Sequence, residues 1–182
     1  MNTPFKKIFI LALSALFSLT YMSSCNRDKC KTIVCAFDGV CNNGACICKS
    51  GYEGSNCETL TRDKFTGNWT VFEKGSTTLA AQYPISIVPS GTSPTDVVIN
   101  NFYNFFTVPI KAYVMGDSIF IPNQQYQGKV VFGVGYIYTN VTYGQFGAIS
   151  MSYEVIDTMP PNRVVDFGYY PPDLSNPSAW NK

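Results

Sequence analysis

Thiols are where this chain could do chemistry. All seven cysteines lie between positions 25 and 57, and none occurs in the remaining 125 residues. Six of them, Cys30, Cys35, Cys41, Cys46, Cys48 and Cys57, fall within 28 residues. So short a segment cannot bury enough apolar surface to fold unaided and needs covalent staples. Six cysteines allow 15 pairings, and spacing alone does not choose among them. Zinc is the rival reading, but six thiols around one C-x-C step suit a disulfide framework better than a four-ligand site. Cys25 is left over by parity.

Beyond position 57 the chemistry thins out. The chain has no histidine, which removes the commonest general base and metal ligand. With neither histidine nor cysteine after residue 57, the usual nucleophile–base pairs cannot be built there. Glu154, Asp157 and Asp166 lie on neighbouring predicted strands, where two carboxyls could form an acid–base pair. Asp157 precedes Met159-Pro160-Pro161 at a strand end and Asp166 reads as a hydrogen-bonded strand residue, so no catalytic residue is assigned.

Charge excludes a further class of partner. Without Lys6 and Lys7, 11 of the 13 basic residues face 12 acidic ones. Such a chain lacks the concentrated basic face that nucleic acid demands. Charged residues make up 14% and aromatics 15%, a composition that folds rather than remaining disordered.

Lys6 and Lys7 precede the apolar run from Ile8 to Leu19, which is broken by Ser14 and Ser18 and ended by Ser23 and Ser24. This reads as a signal peptide over residues 1–24, too short and interrupted for a spanning helix. Met22-Ser23-Ser24-Cys25 resembles the lipobox of bacterial (Bacteroidetes-type) lipoproteins. That resemblance makes Cys25 the lipid anchor, residues 25–29 a tether and the bilayer a partner. Asn26 follows the anchor where inner-membrane retention often uses aspartate, so the outer membrane is expected. The leaflet stays open.

Cys46-Ile47-Cys48, then Gly51-Tyr52 and Gly54 before Cys57, resembles the second half of an EGF-like domain. The resemblance implies the pairs Cys30–Cys41, Cys35–Cys46 and Cys48–Cys57 in a module spanning residues 30–58. Asn42-Asn43-Gly44 reads as a turn between two short strands. Tyr52 is expected to cover a disulfide. Some EGF-like domains bind calcium, but the lead-in Asn26-Arg27-Asp28-Lys29 carries two cations against a site needing six or more oxygens. No metal and no cofactor are expected.

From Lys64 the chain becomes short aromatic and β-branched runs divided by turn residues. The strands predicted are 67–73, 83–88, 96–101, 108–115, 118–122, 129–138, 147–156 and 163–168, an antiparallel pattern. Residues 64–170 are therefore read as an up-and-down β-barrel, with a β-sandwich as the alternative. Phe65-Thr66-Gly67-Asn68-Trp69 resembles the opening of lipocalin-like barrels. That family's arginine over the tryptophan falls to Arg163, as a cation–π contact. Residues 171–182 are expected to be an irregular tail, with Trp180 folded back onto the barrel.

The fold class is thus mostly β: a disulfide-rich module followed by an antiparallel barrel. The role expected is non-enzymatic binding or adhesion at the cell envelope, towards a glycan, an envelope protein or a small apolar ligand. The last would make the barrel a lipocalin-like carrier with an internal cavity. Tyrosines such as Tyr103, Tyr113, Tyr136, Tyr138, Tyr143, Tyr169 and Tyr170 suit sugar stacking or barrel lining. Phe102, Tyr103, Phe105 and Phe106 crowd one strand end as candidate ligand contacts, either as core or as an apolar rim.

Overall fold

The computed structural model describes residues 28–169 and 176–182. The expected signal peptide, Cys25 and its neighbours, Tyr170 and positions 171–175 lie outside the described residues.

The amino-terminal module is held by Cys30–Cys41, Cys35–Cys46 and Cys48–Cys57, the three pairs expected. Strands β1 (Val40–Asn42) and β2 (Ala45–Ile47) pair antiparallel, with Cys41 opposite Cys46. The turn between them places Asn43 and Gly44 at φ 51° and 93°. Asn and Gly adopt that left-handed region at least cost. Strands β3 (Tyr52–Glu53) and β4 (Thr59–Leu60) form a second small ladder. The Tyr52 ring stacks on Phe37 with centroids 4.4 Å apart.

A single 3-10 turn, Thr61–Lys64, connects the module to the barrel and fastens the two together. Lys64 Nζ donates to Glu53 of the module at 2.9 Å and to Asp117 of the barrel at 2.6 Å. Its side chain is only 7% exposed. Desolvation pulls its pKa down, but the hydrogen bonds and charges of Asp117 and Glu53 together outweigh this and leave it raised. Arg62 Nη1 donates to the carbonyls of Ser93 and Asp96. Gly51 lies so close to Pro94 that an added Cβ would sit 2.8 Å from its ring. Module and barrel are therefore packed together, not joined by a swinging linker.

The barrel strands are β5 (Gly67–Glu73), β6 (Ala81–Pro89), β7 (Asp96–Asn100), β8 (Ile110–Met115), β9 (Ser118–Tyr126), β10 (Lys129–Asn140), β11 (Gly144–Asp157), β12 (Val164–Phe167) and β13 (Ser178–Asn181). From β5 to β11 each pairs antiparallel with the next in sequence. Closure differs from expectation. The same edge of β11 carries β13 along Ala148–Met151 and β12 along Tyr153–Ile156. One wall position is thus shared by two strands, and β13 closes the ring against β5. The result is one sheet closed on itself, an eight-stranded antiparallel barrel and not a sandwich.

The expected irregular tail is corrected at its end by β13. Alternation explains the strand: Ser178 and Trp180 point inward and are buried, while Ala179 and Asn181 face outward. A second correction concerns the cation over Trp69. Arg163 instead hydrogen-bonds Thr77, and Lys182 Nζ stands 4.8 Å from the Trp69 ring centroid. Strand β13 brings Lys182 to that end of β5, while Arg163 lies beyond the opposite end of the wall.

Antiparallel connectivity sorts the loops between two ends. The turns 90–95, 116–117 and 141–143 share an end with the module, which contacts the first two. Loops 74–80, 101–109, 127–128 and 158–163 lie at the far end.

Candidate functional site

A carrier needs space inside its barrel, so the interior decides first. Inward positions hold Trp69, Val71, Ile85, Ile87, Met151, Tyr153 and Trp180, all at most 3% exposed. Burying each large apolar side chain contributes roughly 1.5–3 kcal/mol. On β10 the inward positions opposite Tyr153 and Met151 are Gly133 and Gly135. A Cβ on either would come within 2.5 Å of the facing side chain. The glycines let those large residues fill the centre up to the backbone.

One carboxylate sits in this interior. Glu73 is the third inward residue of β5 after Trp69 and Val71, and it is 9% exposed. It accepts from Tyr83 Oη at 2.6 Å, Tyr153 Oη at 2.6 Å and Ser178 Oγ at 2.8 Å. Trp180 Nε1 in turn donates to Ser178 Oγ at 2.9 Å. Burial raises the pKa of Glu73 against the lowering effect of the three hydroxyl donors. Burial and the Glu73 charge likewise push Tyr83 upward. Each donor bonds to the carboxylate and none points into open space, so the cluster ties β5, β6, β11 and β13 together. The inward alternation Trp69, Val71, Glu73 is the sequence signal that could have revealed it.

The aromatic segment before β8 divides. Phe102 and Phe106 are 1% and 2% exposed and plug the far end of the barrel. Phe102 packs on Tyr153 and Trp180, with centroids 4.8 and 6.1 Å apart. Tyr103 is half-buried with its ring edge-on to Phe167. Only Phe105 faces outward, 41% exposed, with Lys129 Nζ 4.8 Å from its ring centroid. Asn101, Tyr103 and Asn104, all at positive φ, turn the chain sharply so that neighbouring aromatics point in opposite directions.

Phe105 borders a cleft of about 250 Å³ at this far end, with Gln127, Lys129, Asp157, Met159 and Pro160. Asp157 and Lys129 face each other across β10 and β11 and form an ion pair at its base. The cleft therefore presents an aromatic edge, a thioether and a neutralised charge pair. Asp157 is drawn away from the other two carboxylates, whereas Glu154 stands opposite Asp166 across β11 and β12. Burial, with the Asp166 charge, raises the pKa of Glu154. A second exposed aromatic region lies on the outer wall, where Tyr113 stacks on Phe120 beside Met115 and Tyr136. Among the described residues no group of three histidine, cysteine or acidic side chains is placed to hold a metal ion.

No protein-family model matches the chain, and no curated protein matches it.

Proposed function

We propose that the chain is a non-enzymatic outer-membrane lipoprotein, anchored at Cys25, in which an EGF-like spacer presents the barrel for binding or adhesion at the cell envelope. The observation that carries this reading is the filled interior. Carriers need an enclosed space of roughly 300 Å³ or more, and the inward positions here are occupied by Trp69, Tyr153, Trp180 and Met151. Contacts are then made from outside. The EGF-like assignment is supported by the order of the three disulfides and by the β1–β2 hairpin. Docking of the module at one end leaves the Phe105–Met159 cleft at the other, as a display function requires. A glycan or an envelope protein suits its mixed aromatic and polar lining.

Cell fractionation of Cys25→Ser tests the reading. The variant is expected to leave the outer-membrane fraction for the soluble one. Unchanged fractionation would overturn the anchor, and a small molecule retained by gently purified wild-type protein would favour the carrier.

A further inference from the structure

The longest strands of the barrel, β10 and β11, carry no charged side chain from Val130 through Tyr153. Their hairpin also outruns its neighbours. On one side support ends where the Ile137 N–H donates to the Asp117 carbonyl. On the other it ends where the Lys182 N–H donates to the Gly147 carbonyl. Residues 138–146 therefore extend past both neighbouring strands, with a bulge between Tyr138 and Asn140 and a tight fold from Tyr143 to Gly147. At the crest Val141 is fully exposed, with Tyr138 44% and Tyr143 41% exposed on either arm. Phe146, at positive φ, folds back against the barrel core, with the Lys64 ammonium 5.3 Å from its ring centroid.

An exposed valine between tyrosines, on a hairpin that itself carries no charge, has the chemistry of a membrane-interface contact. Tyrosine sits well at headgroup depth, with its ring in the apolar zone and its hydroxyl among polar groups. An uncharged strand pair enters that zone without desolvating an ion. The chain path supplies the second observation. The crest lies at the module's end of the barrel, and only four residues separate Cys25 from Cys30, a reach of roughly 17 Å. An acyl chain on Cys25 would hold this end close to the bilayer.

We propose that the tip of the β10–β11 hairpin, Val141 flanked by Tyr138 and Tyr143, is a second membrane contact that seats the barrel on the lipid interface. The inference rests on the lipoprotein reading. A shallow apolar contact adds to the acyl anchor and fixes the orientation of the barrel.

The test separates the two ideas by supplying the anchor chemically. A chain starting at Cys25 keeps every described residue. Its free thiol is coupled to a maleimide lipid in phosphatidylcholine vesicles, so the outcome does not depend on whether cells lipidate Cys25. Val141→Trp is expected to shift its emission to the blue and lose intensity with brominated acyl chains. Unsubstituted protein provides the background from Trp69 and Trp180, which are both buried. Val88→Trp, on the outer wall, is expected to stay water-like. Emission from position 141 that stays water-like and unquenched, or that shifts only in native membranes containing proteins, would overturn the proposal in favour of open solvent or a protein partner.

Discussion

Replacing Glu73 with alanine removes the shared acceptor of three buried hydroxyls at once. Tyr83, Tyr153 and Ser178 donate to it at 2.6, 2.6 and 2.8 Å. A buried polar group left unsatisfied costs about 1–3 kcal/mol. Ser178 keeps the Trp180 indole as a donor to it, but the two phenol groups lose their anionic acceptor. Relief of carboxylate desolvation offsets part of this, so Glu73→Ala is expected to lose about 3–4 kcal/mol at neutral pH. Glu73→Gln keeps the shape and one acceptor oxygen, so about 1 kcal/mol is expected. pH separates the two effects. The folded pKa of Glu73 lies above its ordinary value of 4.5 because of burial. The folded state thus binds this proton more tightly than the unfolded chain, and its contribution is fully present below pH 4.5. That contribution declines as pH rises through the folded value and is constant above it. Wild type should therefore lose stability as pH rises from 4.5 through the raised folded value, and Glu73→Gln should lack that segment of the profile. Denaturant unfolding followed by tryptophan fluorescence, between pH 4 and 8, measures both variants. A loss below about 1 kcal/mol for Glu73→Ala, or parallel pH profiles for wild type and Glu73→Gln, would refute the reasoning.

Other consequences follow from the fastening of the parts. Lys64→Met removes both ion pairs of the module–barrel joint, and hydrogen exchange at residues 61–66 should accelerate while the barrel core stays protected. Deleting residues 178–182 removes the strand that closes the ring, and the truncated chain should expose apolar surface to a hydrophobic dye. Gly135→Val places a side chain against Met151 and Ile119 in the filled interior, with a destabilisation of about 1–3 kcal/mol by denaturant titration. Reducing the three disulfides should unfold the module and leave the barrel's far-ultraviolet signal largely intact, because its strands contain no cysteine.

Much of this architecture was legible in the chain, for identifiable reasons. Strand β5 falls at Gly67–Glu73 as expected, because the inward Trp69 and Val71 alternate with Asn68 and Thr70. Strand β9 runs past the expected stop at Pro122 to Tyr126. A register shift against β10 between Val131 and Gly133 accommodates the proline. Gln124 then bonds both the N–H and the carbonyl of Lys111 through its side-chain amide. Strand β13 was hidden because four residues beside Pro177 carry a single large apolar side chain, Trp180, and only tertiary pairing with β5 and β11 makes them a strand. The cation over Trp69 followed from that same placement, which no local pattern could reveal. The aromatic run at 102–106 was visible as unusual, but its division between core and cleft depends on left-handed residues at Asn101, Tyr103 and Asn104.

The central claim is an acylated, disulfide-stapled module carrying a barrel with no internal cargo. Intact mass spectrometry of protein extracted from its own membranes tests it most directly, first gently and then denatured. The account predicts a denatured mass beginning at Cys25, increased by acyl chains and lowered by the six hydrogens of three disulfides, with no additional ligand under gentle conditions. A mass without acyl chains, or a small molecule released only on denaturation, would contradict it.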